Sequence, residues 1–136
     1  MILADTSAWV EYDRATGSQV DERLGGLIEE PDRLAFSEPV LMEVLAGARD
    51  ERRERDLRRL LSRFQLLNFD PVADFDGAAR IYRRCRQAGV TPRGMLDCMI
   101  AAVALRRGAT LLAHDSGMSR LAAVVGLPLD EASLRA

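Results

Sequence analysis

The first twelve residues, 1–12, have the sequence MILADTSAWVEY and join a short apolar run to the polar start of a helix. Ile2–Ala4 is apolar throughout, which predicts a strand buried on both faces. Residues 7–12 follow a helical pattern, and Thr6 or Ser7 is suited to cap that helix. Asp5 is the only charged residue among the first ten. It lies at the carboxyl end of the predicted strand.

The rest of the chain alternates between short apolar runs and longer helical patterns. Strands are predicted over residues 33–36, 66–69 and 109–113, with a last short one over 127–129. Helices are predicted over residues 18–30, 40–48, 50–63, 70–88, 93–107 and 118–125. Short, continuously apolar strands that alternate with helices are typical of a parallel sheet covered on both faces. The predicted fold is therefore a three-layer α/β/α domain with a short central parallel sheet.

Composition narrows the class of protein. A length of 136 residues with 48% hydrophobic and 29% charged residues is ordinary for one soluble domain, here 1–136. No run approaches the roughly 18 apolar residues of a membrane span, and no basic region precedes the first apolar run. We therefore expect a cytoplasmic protein without a membrane partner. Cys85 and Cys98 lie in helical patterns without metal-binding spacing, which favours reduced core thiols.

Charge is distributed unevenly along the chain. The net charge of −2 argues against a non-specific nucleic-acid binder. All 19 basic residues are arginines, and seven of them lie between Arg49 and Arg63. Arginine presents a planar fork that suits phosphate, but arginines interspersed with acids also form ordinary solvated helix faces. Both interpretations of this run remain open.

Four carboxylates occupy unusual places. Asp5 follows the first predicted strand, Asp115 follows the fourth, and Glu43 and Asp97 each stand alone in an apolar helix. Burying an unpaired carboxylate costs several kcal/mol or forces its protonation. If the four converge on one cation, oxygen ligands without a His or Cys cluster favour Mg²⁺ or Mn²⁺. Singly, they are also explained as a helix cap, two arginine-paired core residues and the start of a turn.

The motifs DTSxW, SEPVxxEVLxG and RxxxDCxIAAxA, followed by an Asp after an apolar strand, occur in this order. In order, spacing and length the chain resembles the PIN-domain family and, within it, the VapC-type toxins of type II toxin–antitoxin pairs. The resemblance implies a Mg²⁺- or Mn²⁺-dependent endoribonuclease that hydrolyses phosphodiester bonds of tRNA or other structured RNA. By matching position it implies metal-binding acids and a hydroxyl that positions metal or water. These are Asp5, Glu43, Asp97, Asp115 and Thr6.

The resemblance also implies partners: a VapB-type antitoxin whose C-terminal segment blocks the acidic pocket, a second copy of the chain, and a toxin–antitoxin hetero-oligomer. The chain departs from the family where a further Asp and an aromatic often follow the last acid, since Gly117 and Met118 occupy those positions. One or two metal ions are therefore both possible.

Two other classes of protein compete with this interpretation. A catalytically weak PIN domain would act only as an RNA- or protein-binding module. A receiver domain or a haloacid-dehalogenase-like phosphatase is disfavoured, because both place a lysine beside the phosphoryl-bearing Asp and this chain has no lysine.

Overall fold

The computed structural model describes residues 1–135, and within them a four-stranded sheet forms the centre of the molecule. All three strand pairings are parallel, and the strand order is β3-β2-β1-β4. The predicted parallel sheet is confirmed. The strands are β1 (Ile2–Ala4), β2 (Leu34–Phe36), β3 (Gln65–Leu66) and β4 (Thr110–Leu112).

Seven α-helices and one short 3₁₀ turn, Pro31–Arg33, connect the strands of this part of the chain. Every residue of β1 and β2 is buried, so helices cover both faces of the sheet as the three-layer prediction requires. The helices are α1 (Thr6–Asp13), α2 (Gln19–Ile28), α3 (Glu38–Ala46), α4 (Glu51–Leu61), α5 (Ala73–Gln87), α6 (Met95–Arg106) and α7 (Ser116–Val125).

The strand order reverses direction at β1. The chain adds β2 and β3 on one side of β1, and later adds β4 on the other side. In open α/β sheets ligands bind beyond the carboxyl ends of the strands at such a switch point. Ala4 pairs with Leu112, and the backbone N–H of Asp5 donates to the Leu112 carbonyl at 2.8 Å. Asp5 therefore lies beside the carboxyl end of β4.

Two predicted strands are shorter than expected. The prediction for residues 66–69 was wrong in its extent, because β3 ends at Leu66 and only the Leu67 N–H still bonds to β2. Beyond it, the Asn68 carbonyl accepts a hydrogen bond from Arg106 Nη2 at 2.7 Å, so it is unavailable for pairing. The predicted strand 127–129 is reduced to a single bridge between Leu129 and Leu111.

Three helix starts differ from prediction for one physical reason. Carboxylates just before a helix accept the unpaired N–H groups of its first turn. Asp5, rather than Thr6 or Ser7, caps α1, and Asp115 caps α7 at Ser116. Asp70 Oδ1 accepts from the N–H groups of residues 72 and 73, so α5 starts at residue 73 instead of residue 70.

Burial follows the predicted pattern less closely in α3 than elsewhere. The apolar sequence of α3 predicts a largely buried helix, but Met42 is 56% exposed, so one face of the helix reaches solvent. In contrast, residues 100–104 of α6 are all buried. Cys85 and Cys98 are buried and unbridged, which confirms the prediction of core thiols. In residues 1–135, no helix combines the length and apolar character needed to cross a bilayer.

Candidate functional site

Asp5 is held at the carboxyl end of β1 with its two oxygens in different environments. The side chain is only 4% exposed. Its Oδ2 accepts from the Ser7 N–H at 3.2 Å and from the Ser7 hydroxyl at 2.6 Å. Its Oδ1 is buried without a hydrogen-bond partner in the described chain. The cap therefore uses one oxygen and leaves the other available to a ligand.

Ser7 is a site residue that the sequence analysis missed. Its Oγ donates to Asp5 and also accepts from the His114 N–H at 2.9 Å. One hydroxyl thus joins the carboxyl ends of β1 and β4. A hydroxyl two residues after a helix-capping Asp is the available sequence signal, because the cap carboxylate faces that position. The family resemblance directed attention to Thr6 instead.

Other buried oxygens near Asp5 also lack partners. Thr6 Oγ1 and Ser37 Oγ are buried and make no hydrogen bond within residues 1–135. The β1–β2 register, in which Leu3 pairs with Ala35, places Asp5 and Ser37 after equivalent strand ends. Buried polar atoms in native proteins are almost always satisfied, by water or ions where no protein group serves. These oxygens therefore mark a position suited to a hydrated cation.

Asp115 has both oxygens engaged. Oδ1 accepts from the Gly117 N–H at 2.9 Å, and Oδ2 contacts Arg93 Nη2 in an ion pair. Arg93 Nε also lies 4.0 Å from Asp97 Oδ2, so one guanidinium bridges the two acids. The Arg93 side chain is 74% exposed, whereas the two carboxylates are 14% and 16% exposed. The arginine therefore covers the acids from the solvent side.

Glu43 and Asp97 complete the set of predicted acids. Asp97 lies in the first turn of α6, and Glu43 is half-buried on α3, a helix that packs against α6 and α1. Within residues 1–135, Glu43 has no arginine or histidine at ion-pair distance. The alternative of an arginine-paired core residue therefore fails for Glu43, but it describes Asp97 in part.

Electrostatics shows that the acids share one pocket. Burial raises the pKa of Asp5 from 3.8 to about 6, although hydrogen bonds from Ser7 oppose the rise and the charges of Asp97 and Glu43 add to it. Burial also raises the pKa of Asp97, with Arg93 opposing the rise and Asp115 and Glu43 adding to it. Mutual repulsion of this kind requires that the carboxylates lie close together.

The pocket fits a hard divalent cation in its chemistry. All its donors are oxygens, which Mg²⁺ and Mn²⁺ prefer. In the described chain, however, no three acidic, histidine or cysteine side chains are grouped closely enough to hold one ion as they stand. One reason is visible at Asp115, whose oxygens serve Gly117 and Arg93. Ligation by Asp115 requires that the Arg93 contact be exchanged for the ion.

Gly117 and Met118, the two residues that depart from the family pattern, have different surroundings in the structure. Met118 is completely buried and belongs to the core. Gly117 binds Asp115 through its backbone N–H, and a Cβ at this glycine would lie 3.3 Å from Asp115 Oδ1. His114 Nε2 lies 3.4 Å from Glu11 Oε1, at the edge of the pocket.

A groove of about 660 Å³ leads away from the pocket between α1, α3 and the start of α4. Thr6 and Glu43 line the end nearest the acids. Apolar side chains line part of the groove, and arginines lie along its walls. The apolar residues include Trp9, Val44 and Leu57, and the arginines are Arg14, Arg49 and Arg53.

Sequence comparison identifies relatives over almost the whole chain. The model of the PIN domain family matches residues 2–124. VapC ribonuclease Mb1587 of Mycobacterium bovis is 46% identical over 128 residues, which are 93% of this chain and 96% of the relative. Ribonuclease VapC32 of Mycobacterium tuberculosis is 33% identical over 132 residues, 96% of this chain and 98% of the relative.

Solved structures share the fold at lower sequence identity. The structure of VapBC2 from Rickettsia felis, bound to a DNA fragment from its promoter, matches with a TM-score of 0.74 and 21% identity, covering 96% of this chain and 98% of that one. VapC20 of Mycobacterium tuberculosis, a toxin that cleaves the sarcin-ricin loop, matches with a TM-score of 0.64 and 19% identity, covering 88% and 93%. The resemblance drawn from the motifs is confirmed: this chain belongs to the PIN domain family.

Proposed function

We propose that this chain is a metal-dependent endoribonuclease and the toxin of a type II toxin–antitoxin pair. The observation that carries the proposal is the pocket of four carboxylates at the sheet's switch point, in a chain 46% identical to a protein named VapC ribonuclease. The substrate is RNA, in the class of tRNA or other structured RNA. The working compartment is the cytoplasm, where such RNA is found.

Asp5, Asp97 and Asp115 are the proposed direct ligands of Mg²⁺ or Mn²⁺, and Glu43 acts beside them, directly or through water. Such an ion would supply charge neutralisation at the scissile phosphate and a water of lowered pKa. Ser7 orients Asp5 by donating a hydrogen bond to Oδ2, which leaves Oδ1 without a partner in the described chain. Thr6 offers a buried hydroxyl beside it, suited to hold a water or a ligand oxygen.

The electrostatics of Asp5 also support metal binding. Burial and the neighbouring acids both oppose a negative charge on Asp5 and raise its pKa. A divalent cation reverses that balance by neutralising the acids together. The negative charges of these carboxylates are unfavourable without a cation, so a bound cation would stabilise the pocket.

The groove is the proposed site for the antitoxin's C-terminal segment. Trp9, Val44 and Leu57 offer apolar contacts, and arginines along the walls suit an acidic, amphipathic peptide. In the described chain, Arg14 and Arg49 have no carboxylate at ion-pair distance, whereas Arg53 is paired with Asp13. A segment lying in the groove would end beside Glu43 and cover the acids. Homodimers and hetero-oligomers with the antitoxin are the proposed assemblies.

Incubation of the purified chain with total RNA tests the nuclease. We expect cleavage with Mg²⁺ or Mn²⁺ and none with EDTA. Asp5→Asn and Asp97→Asn should each lower the cleavage rate by about 100-fold, the scale at which damaged metal sites lose activity. Asp76→Asn is the matched control, since Asp76 is 61% exposed on α5 and pairs with Arg80.

Cleavage that persists in EDTA, or in both pocket variants, would contradict the mechanism. A wild-type chain that folds, binds Mn²⁺ and cleaves no RNA would favour the alternative of a binding module.

The partner is tested by co-expressing the chain with any small protein encoded next to its gene. Co-expression should yield a complex in which RNA cleavage is suppressed. Arg49→Glu should weaken that complex, whereas Arg120→Glu, an exposed change on α7 outside the groove, should not. Equal affinity of the Arg49→Glu chain and the wild type would exclude the groove as the docking site.

A further inference from the structure

Arg93 is the one basic side chain among residues 1–135 that forms ion pairs with the acids of the pocket. It contacts Asp115 through Nη2 and lies 4.0 Å from Asp97 through Nε. These two acids come from separate elements, the first turn of α6 and the N-cap of α7. The guanidinium thus lies between carboxylates that the proposed metal site must bring together.

Neither oxygen of Asp115 is without a partner as the side chains stand. Asp115 Oδ1 is used by the Gly117 N–H, and Oδ2 is used by Arg93. The Gly117 bond belongs to the cap of α7 and is fixed by the backbone. The bond to Arg93 is the one that can be given up, because its partner is a long side chain with 74% exposure.

A guanidinium and a divalent metal ion differ in how strongly they bind the same carboxylate oxygens. A guanidinium has one delocalised charge and holds carboxylates through hydrogen bonds. A divalent ion binds carboxylate oxygens directly at about 2.1 Å with twice the charge. At sufficient concentration such an ion would therefore replace the arginine at Asp97 and Asp115, and competition from the arginine would lower the apparent metal affinity.

The displaced guanidinium stays at the mouth of the pocket. Pro92 is buried and anchors the preceding backbone, and α6 begins two residues after Arg93. An arginine released from carboxylates presents several donors in a fork that matches phosphate oxygens. A phosphate that approached Asp97 and Asp115 would therefore come within reach of this guanidinium.

We propose that Arg93 is an exchangeable counter-ion. It pairs with Asp97 and Asp115 in the metal-free chain, yields these acids to a divalent cation, and then binds the phosphate of the RNA being cleaved. The phosphate-binding step rests on the proposed nuclease function, whereas the exchange with metal does not. Arg93 is thus a positioning residue for the site as well as a contact for the substrate.

Isothermal titration with Mn²⁺ alone tests the exchange. Arg93→Gln should bind Mn²⁺ at least fivefold more tightly than the wild type, and Arg93→Lys should lie between them. Arg80→Gln is the matched control, because Arg80 is 69% exposed and pairs with Asp76 away from the pocket. The control should bind Mn²⁺ as the wild type does.

Cleavage kinetics at saturating Mn²⁺ test the phosphate contact. Arg93→Gln should lower kcat/KM at least tenfold even though its metal site is full, and Arg93→Lys should restore part of the loss. A variant that binds Mn²⁺ no more tightly than the wild type would overturn the exchange. A variant that cleaves as fast as the wild type at saturating Mn²⁺ would overturn the phosphate contact. A wild-type chain that binds Mn²⁺ but cleaves no RNA would refute the nuclease and leave the titration result standing.

Discussion

The β1–α1 and β4–α7 junctions use the same local structure for two different electrostatic solutions. An aspartate follows each of these adjacent parallel strands, directly after β1 and three residues after the end of β4, and each aspartate caps the next helix by accepting the N–H two residues later. Asp5 then keeps a buried oxygen without a partner, while Asp115 binds an exposed arginine with its second oxygen. The cap fixes the position of each carboxylate, and the second oxygen determines what that carboxylate can bind.

The comparison explains why a helix cap and a ligand are compatible roles. A cap uses one oxygen, so an aspartate at a strand–helix junction still has another to offer. At β1–α1 burial keeps that oxygen from water and makes its negative charge unfavourable. At β4–α7 the arginine neutralises it. The two junctions are therefore expected to respond differently when their charge is removed, with a gain in stability at Asp5 and little change at Asp115.

The largest expected effect is on stability in Asp5→Asn. The folded pKa of about 6 lies above the ordinary value of 3.8, so between those pH values the folded chain keeps a proton that the unfolded chain has lost. Stability of the metal-free wild type therefore falls as pH rises through this window. Asp5→Asn removes the charge, so the free energy of unfolding of this variant above pH 6 should exceed that of the wild type by up to about 3 kcal/mol.

Urea unfolding in EDTA at several pH values measures the difference, which should shrink as pH falls from 6 towards 4. Asp115→Asn is the comparison at the other junction and should show no such gain. A lower stability of Asp5→Asn at neutral pH would contradict the unfavourable charge at β1–α1.

The second effect concerns the link between the junctions. Ser7→Ala removes the donor to Asp5 and leaves the His114 N–H without its acceptor. An unsatisfied buried donor costs about 2 kcal/mol, so the free energy of unfolding should fall by that amount. Ser62→Ala is the control, because Ser62 is an exposed residue at the end of α4 whose hydroxyl has no partner in the described chain. Equal stabilities of the two variants in urea unfolding would show that Ser7 does not join the junctions.

Sequence reasoning predicted the elements and the acids better than the contacts between them. The sequence places Asp5 and Asp115 just after strands because continuously apolar runs mark buried parallel strands, and an aspartate follows directly after Ala4 and two positions after Ala113. The bond from Ser7 to the His114 backbone joins residues 107 positions apart, and the Arg93 contact with Asp115 spans 22 positions. Local patterns carry no information on such pairs, which depend on the strand order and on side-chain rotamers.

A third prediction, with a smaller expected effect, concerns the separate contributions of the helix cap and of the arginine contact of Asp115 to the free energy of unfolding. Asp115→Ala loses the cap of α7 as well as the arginine contact, and should lose about 1 kcal/mol of unfolding free energy. Asparagine is an equally good cap, so Asp115→Asn should stay within about 0.5 kcal/mol of the wild type, because the pair with exposed Arg93 is worth little. Equal losses in both variants would assign the stability to the ion pair rather than to the cap. Thermal and urea unfolding in EDTA give the required values.

The smallest effect is expected at Gly117, the residue that contacts Asp115 through its N–H. Alanine is favoured over glycine within a helix by about 1 kcal/mol, and Gly26→Ala in α2 should gain about that much because no atom lies near its new Cβ. At Gly117 the Cβ would lie 3.3 Å from Asp115 Oδ1, so the carboxylate must shift and the gain should stay below about 0.5 kcal/mol. If Gly117→Ala gains as much as Gly26→Ala, Asp115 shifts freely despite its cap and its arginine. The two junctions would then differ in charge alone and not in how firmly they hold their carboxylates.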